Sequence, residues 1–182
     1  TYYLSTDGLQ LYFCTAADCS SGTSTILDST DDFARYGFSL AVGNDGYPAV
    51  AYFAGAGTRE GDSIGVHVCS ATDCSTGTHN SVDMQPQGTR QHYPSMAIGD
   101  DGNPVISYVT LEYASLNVYK CTQSDCSSGY ATTVKDLSSG GAGDFTSIAI
   151  GNDGNPLVAY GQPFNLVKVF ACSSADCSSG SS

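Results

Sequence analysis

A short stretch of this 182-residue chain occurs three times and constrains its fold more than any other feature. The copies occupy residues 39–52, 95–108 and 147–160, and each keeps its apolar positions, glycines and proline in the same places. Each is two runs of β-forming residues joined at Gly-[Asn/Asp]-Asp-Gly, where Asp and Gly tolerate a tight turn. Each copy therefore predicts a hairpin of two strands, A and B, with positive φ at the turn glycines Gly46, Gly102 and Gly154.

Eight cysteines form a second repeated unit. The first cysteine of each pair is followed five residues later by the second, in the pairs Cys14 and Cys19, Cys69 and Cys74, Cys121 and Cys126, and Cys172 and Cys177. Zinc binding is the alternative to disulfides, but a zinc site gathers four ligands at one point, whereas these pairs lie on separate repeats. We therefore predict four local disulfides, each adding about 2 kcal/mol, and an oxidising, secreted location.

Both units share one period of roughly 50 residues, the length of a β-propeller blade. A third strand, C, is predicted before each first cysteine, and a polar outer strand, D, after each second cysteine. We predict an all-β fold, a β-propeller-like array of four-stranded antiparallel blades with three nearly complete blades and one partial blade. A β-solenoid is the runner-up, although its coils repeat at shorter intervals. The chain is expected to be one domain, with a partial blade at 1–32, blades at 33–88 and 89–140, and a blade at 141–182 lacking its last strand.

The repeated run also resembles a known type of blade. The pattern Ser-[Leu/Met/Ile]-Ala-[Val/Ile]-Gly-x-Asp-Gly-x-Pro-x-[Val/Ile]-x-Tyr is similar to the tandem repeat of secreted bacterial β-propellers, which are related to sialidase-like and bangle-lectin propellers. This resemblance covers nearly the whole chain and implies the propeller fold. The sialidase Asp-box pattern Ser-x-Asp-x-Gly-x-x-Trp is missing and the chain has no Trp, so the resemblance does not imply sialidase chemistry.

The charge of the chain excludes two classes of partner. Six Lys and Arg against eighteen Asp and Glu give a formal net charge of −12, which repels nucleic acid and anionic membrane surfaces. No apolar run approaches the roughly 20 residues of a membrane span, and the start does not resemble a signal peptide. We therefore expect a soluble protein that binds neither nucleic acid nor membrane.

The sequence contains no recognisable catalytic or metal-binding set. None of the three histidines is paired with a repeated nucleophile or carboxylate, so we predict that the chain is not an enzyme and has no cofactor. The Asp-x-Gly turns suggest calcium as an alternative, but one or two carboxylates per turn are too few for a site of the EF-hand kind. We interpret these aspartates as turn-forming residues and expect no metal.

The best candidates for ligand binding are aromatic residues and a histidine in variable loops, where function is often placed on a fixed frame. These residues are Tyr36, His92, Tyr93, Tyr113, Phe145 and Phe164. Aromatic rings beside polar groups suit stacking on sugar faces, whereas the alternative is that Tyr93, Phe145 and their neighbours only wedge between blades.

These observations lead to two hypotheses about function. The first is an extracellular structural or adhesive protein that self-associates, and the second is a lectin-like, carbohydrate-binding propeller that uses the aromatic loops. The first repeat lacks strand A and the last stops as strand D begins, so we expect open strand edges to pair with further copies. Because the two faces differ, a head-to-tail assembly or filament is favoured over a closed monomer.

Overall fold

The computed structural model describes residues 8–29, 37–54, 62–85, 91–110, 114–138, 145–162 and 166–182. These residues form fourteen β-strands. The strands are β1 (Leu9–Cys14), β2 (Gly22–Asp28), β3 (Phe38–Val42), β4 (Pro48–Ala54), β5 (Asp62–Cys69), β6 (Gly77–Gln85), β7 (Gln91–Ile98), β8 (Pro104–Thr110), β9 (Ser115–Cys121), β10 (Gly129–Asp136), β11 (Thr146–Ile150), β12 (Pro156–Gln162), β13 (Leu166–Cys172) and β14 (Gly180–Ser181). Within these ranges no helix has the length and hydrophobicity of a membrane span.

The strands form four antiparallel sheets in chain order. The first sheet contains β1 and β2, and the second, third and fourth contain β3 to β6, β7 to β10 and β11 to β14, each strand pairing with the next. The predicted all-β fold with four-stranded antiparallel sheets is therefore confirmed. The strand B expected in the first repeat falls at residues 1–7, outside the described residues, and the last strand, β14, contains two residues.

One boundary differs from the prediction. The sequence places His92 and Tyr93 in a variable loop, but both lie within β7, which begins at Gln91. The pairing of β7 with β8 is irregular between His92 and Ser95. A bulge lets a strand continue through a stretch whose side chains do not alternate regularly. The alternation of apolar and polar residues in the sequence therefore could not show that β7 begins at Gln91.

The turn of each A–B hairpin is closed by its own polar groups. In the second sheet the Gly43 amide donates to the Tyr47 carbonyl at 2.8 Å, and the Asp45 carboxylate accepts the Tyr47 amide at 2.9 Å. The same turn recurs in the third and fourth sheets. The turn glycines have positive φ, at 83° for Gly46, 79° for Gly102 and 77° for Gly154.

The C–D loops also share one construction. Disulfides join Cys14 to Cys19, Cys69 to Cys74, Cys121 to Cys126 and Cys172 to Cys177. In the first loop the Asp18 carboxylate accepts hydrogen bonds from the hydroxyl and the amide of Ser20, at 2.7 and 3.1 Å. Hydrogen bonds of this kind, from nearby serines, lower the pKa of Asp18, Asp73, Asp125 and Asp176.

Each strand D begins at a glycine that lies beneath a side-chain ring of strand C. A β-carbon on Gly129 would lie 2.5 Å from the Tyr119 ring and 2.5 Å from the Lys120 carbonyl oxygen, so this position excludes any side chain. The equivalent pairs are Tyr12 over Gly22, His67 over Gly77 and Phe170 over Gly180. The ring and the glycine hold the outer strand close to its neighbour in every repeat.

The four sheets pack face to face in chain order. Three apolar cores lie between successive sheets, represented by Leu11 with Tyr52, by Val66 with Ile106, and by Val118 with Val158. The second and third sheets therefore bury both faces. The first strand of the third sheet, β7, contacts the first strands of both neighbouring sheets, β3 and β11.

Hydrogen bonds between sheets recur at equivalent positions. Near the first strands, the hydroxyls of Ser39 and Ser95 accept the Met96 and Ile148 amides of the next sheet, at 2.9 and 3.1 Å. Near the outer strands, side chains donate to aspartate carbonyls in the next C–D loop, in the pairs Thr25 with Asp73, Asn80 with Asp125 and Thr132 with Asp176. These polar contacts set the register of each sheet against the next.

Candidate functional site

A polar cleft lies between the second and third sheets, at the end opposite the A–B turns. It is a cavity of about 420 Å³. Asp83 of β6 forms one wall, and the other wall comes from the third sheet, mainly Thr110, Ser115, Asn117, Thr133 and Asp136. We refer to these six residues as the polar cleft. Thr110, Ser115 and Asn117 are buried, so their polar groups need hydrogen-bond partners inside the protein.

Asn117 connects the hydroxyl groups of the cleft. Its side-chain amide donates to the Thr110 and Ser115 hydroxyls, both at 3.0 Å, and to the Ser115 carbonyl at 3.3 Å. Its carbonyl oxygen accepts from the Thr133 hydroxyl at 2.8 Å. One amide therefore holds three hydroxyl groups, and each retains hydrogen-bonding capacity, because a hydroxyl has one donor and two acceptor lone pairs.

Two carboxylates complete the cleft. Asp83 lies where the pairing of β5 with β6 is irregular, has a φ of 48°, and accepts a hydrogen bond from the Tyr108 hydroxyl. Asp136 lies at the end of β10 and accepts the Ser138 amide at 2.8 Å. Hydrogen bonds from the Ser138 side chain and backbone lower the pKa of Asp136, so this group is an acceptor at neutral pH.

Among the described residues, this set of polar side chains occurs in the third sheet only. Asn117 lies opposite Tyr108 across β8 and β9, and the equivalent pairs are Tyr52 with Gly65 and Tyr160 with Lys168. The position of Thr110, six residues after the proline that opens the strand, is Ala54 in the second sheet and Gln162 in the fourth. The cleft is therefore a local addition to the repeated frame rather than a part of it.

The structure places two of the six predicted ligand-binding residues in contact. The rings of Tyr93 and Phe145 are 4.5 Å apart with a 39° angle between their planes, and Tyr93 also lies against Gly37. Phe145 is exposed. Tyr36, Tyr113 and Phe164 lie outside the described residues, as does the side chain of His92. Neither Tyr93 nor Phe145 lines the polar cleft.

The cysteines are bound to each other. One group of possible metal ligands, His67 with Cys69 and Cys74, has all its ligand atoms within 4.8 Å, but its two sulfurs form a disulfide and are not thiolates. Burial, and secondarily the nearby His79, lower the pKa of His67, which is therefore neutral at pH 7. Neither ring nitrogen has a hydrogen-bond partner among the described residues.

Sequence reasoning did not find the polar cleft. The sequence does contain a signal for such a site, because Thr110, Ser115 and Asn117 are polar residues at the ends of two otherwise apolar strands. The sequence of one repeat does not show, however, which face of a strand is buried. The two carboxylates come from different sheets, so their proximity depends on how the sheets pack.

Comparisons with known proteins give matches among solved structures but none by sequence. No protein-family model and no curated protein matches the chain. Among solved structures, the chain is similar to a fucose lectin from Kordia zhangzhouensis in complex with methyl-fucoside. The identity is 7%, the TM-score is 0.48, and the match covers 74% of this chain and 91% of the lectin chain. A likeness at this level carries no information about ligands.

Proposed function

We propose that this chain is an extracellular carbohydrate-binding repeat protein that holds its ligand in the polar cleft. The observation that carries the proposal is the set of three hydroxyls held by Asn117, two of them buried, which the described residues of the other sheets do not repeat. The four disulfides are consistent with an extracellular location. The role is one of binding rather than catalysis and uses no cofactor.

The chemistry of the cleft fits a sugar. The Thr110 and Ser115 hydroxyls accept from Asn117 and keep their own protons to donate, whereas Asp83 and Asp136 accept hydrogen bonds. Donors and acceptors alternating over a short distance complement neighbouring hydroxyl groups on a sugar ring. The cavity volume of about 420 Å³ lies within the usual range of small-molecule sites.

We propose a propeller-like arrangement for the sheets. Support comes from their face-to-face packing in chain order and from the contacts between first strands, which place β3, β7 and β11 on the same side of the array. In a propeller the first strands of all blades surround a central channel. A low-resolution scattering envelope of the chain distinguishes a curved, wedge-like array from a straight stack.

Glycan-array screening followed by calorimetry tests the carbohydrate site. For a glycan found by screening, Thr133→Val should weaken binding at least tenfold, because it removes the hydroxyl that faces the cleft while preserving side-chain shape. Thr132→Val is the matched control: it changes the adjacent residue, which bonds to the fourth sheet, and should leave affinity unchanged. Equal losses in the two variants, or no glycan binding at all, would contradict the proposal. Loss of binding in Tyr93→Ala with Thr133→Val unaffected would place the site at the aromatic loops.

Self-association is the second candidate, favoured by the open face of the fourth sheet. Val167 and Val169 are 75% and 52% exposed, whereas Ile64 and Val66, at the same distances before the first cysteine of the second repeat, are fully buried against the third sheet. Leu157 extends the exposed apolar surface. A second copy of the chain, packing head to tail, would cover this face as the third sheet covers the second.

Light scattering at micromolar concentration tests self-association. Val167→Lys with Val169→Lys should dissociate an assembly that uses this face, because burying two ammonium groups in an apolar contact is unfavourable. The control is Val42→Lys with Met84→Lys, a matched double change of exposed residues on the second sheet, whose two faces are already covered by the first and third sheets. A stable monomer before any substitution would exclude the structural role, whereas the carbohydrate proposal would be unaffected.

A further inference from the structure

A second cleft lies between the second and third sheets at the end that carries the A–B turns and C–D loops. It has a volume of about 410 Å³ and is separate from the polar cleft at the opposite end. Its floor is apolar, formed by Ala49 and Val68 of the second sheet and by Ile98 and Pro104 of the third. We refer to it as the turn-end cleft.

The rim of the turn-end cleft is polar and comes from loops of both sheets. Asn44, Asp45 and Tyr47 come from the A–B turn of the second sheet, and Ser124 and Asp125 from the C–D loop of the third. The third-sheet loop is fixed against the second sheet, because the Asn80 side chain donates to the Asp125 carbonyl at 2.9 Å. The Asp45 and Asp125 carboxylates are each held by amides of their own loops, so the rim is organised before any ligand binds.

The charged residues that line this cleft are both acidic. Asp45 and Asp125 are on the rim, and the neighbouring loops of the same two sheets add Asp73, Asp100 and Asp101. Lys120 of the third sheet is on the same strand face as Val118, which packs against the fourth sheet, and it is buried and paired with Asp101 at 2.7 Å. The side-chain hydrogen bond from Ser127, followed by that from its amide, lowers the pKa of Asp125, which keeps this carboxylate charged at neutral pH.

An apolar floor beneath a negative rim is complementary to a lysine side chain, which buries its methylene stem on apolar surface and keeps its ammonium group at a polar edge. One oxygen of each rim carboxylate already accepts an amide of its own loop, so each carboxylate presents mainly its other oxygen as a single acceptor. Single acceptors with hydroxyls nearby suit the three rotatable donors of an ammonium group better than the planar fork of an arginine. The geometry points to a docking site for a lysine side chain of another protein, with its stem on the floor and its ammonium group between Asp45 and Asp125.

The test uses two peptides in 150 mM salt. One is N-acetyl-Gly-Ser-Lys-Ser-Gly-amide, and the other carries Nε-acetyl-lysine at the same position and is therefore neutral. Titrations are followed by the amide NMR signals of the whole chain. We expect the lysine peptide to cause saturable shifts centred on Gly43, Ile98 and Ser124, and the acetylated peptide to bind at least tenfold more weakly.

Two matched double variants separate docking from general charge attraction. Asp45→Asn with Asp125→Asn should weaken binding at least tenfold, while the asparagine carbonyls can still accept the loop hydrogen bonds. Asp18→Asn with Asp153→Asn makes the same net charge change in one C–D loop and one A–B turn outside the cleft, and should change affinity less than twofold. Equal losses in the two double variants, equal binding of the two peptides, or shifts centred elsewhere would each overturn the proposal.

Discussion

The hydrogen bonds between tyrosines and aspartates of successive sheets give a sharp test of how the sheets hold together. The Tyr52 hydroxyl donates to Asp28 at 2.7 Å, and the Tyr108 hydroxyl donates to Asp83. Tyr160 lies at the equivalent place and is buried, but its hydroxyl has no partner among the described residues. The position that holds an aspartate in β2 and β6 is Lys135 in β10.

Removing these hydroxyls should therefore have opposite effects. Tyr108→Phe removes a hydrogen bond to a charged group, which should lower the free energy of unfolding by about 1.5–3 kcal/mol. Tyr160→Phe removes a buried hydroxyl without a partner, so the free energy of unfolding should stay the same or rise by up to about 1 kcal/mol. Tyr52→Phe should resemble Tyr108→Phe.

Guanidinium denaturation under non-reducing conditions, followed by far-ultraviolet circular dichroism, measures these differences. Tyr108→Phe should lower the midpoint at an unchanged slope, since a changed slope would indicate an altered denatured state. Lys135→Asp should raise the midpoint by supplying Tyr160 with an acceptor, and this gain should disappear in combination with Tyr160→Phe. If Tyr160→Phe destabilises the chain as much as Tyr108→Phe, the account of these bonds is wrong.

Three further predictions concern the turns and loops. The free energy of unfolding should fall as the pH decreases below about 4. A carboxylate whose pKa is lowered by folding stabilises the folded chain fully above its unfolded pKa and loses that effect as it is protonated. Urea titrations at pH 7, 4 and 2.5 measure the summed effect of four such groups, Asp18, Asp73, Asp125 and Asp176. In urea unfolding, Gly46→Ala should lower the free energy of unfolding by about 1 kcal/mol through the positive φ alone, since the surroundings of Gly46 are open. Gly129→Ala should lower it further, because the new methyl group clashes with the Tyr119 ring. Equal losses in the two variants would contradict the packing of the ring on the glycine. Replacing Cys69 and Cys74 by alanine should lower the free energy of unfolding by about 2 kcal/mol, and an unchanged denaturation midpoint would show that the disulfide does not constrain the unfolded chain.

The repeating local structure could be predicted because its determinants lie close together in the chain. The Asp45 and Gly46 turn depends on groups within five residues, and Cys14 and Cys19 enclose a loop that a hairpin already brings together. Strand number and antiparallel order follow from such turns, since a strand that follows a tight turn must pair with its predecessor. Where the pattern was irregular, as at His92, the predicted strand boundary was wrong.

The packing of the sheets and the contents of the clefts were decided by the tertiary structure. Asp83 and Tyr108 are in different repeats, and period-two alternation does not indicate which of two apolar faces meets which neighbour. Asn117 and Gly65 occupy equivalent places in the repeat, so whether a polar side chain there is exposed or enclosed depends on the adjacent sheet. Local hydrogen bonds and turn preferences act within a few residues, whereas a cleft exists only where surfaces far apart in the chain are brought together.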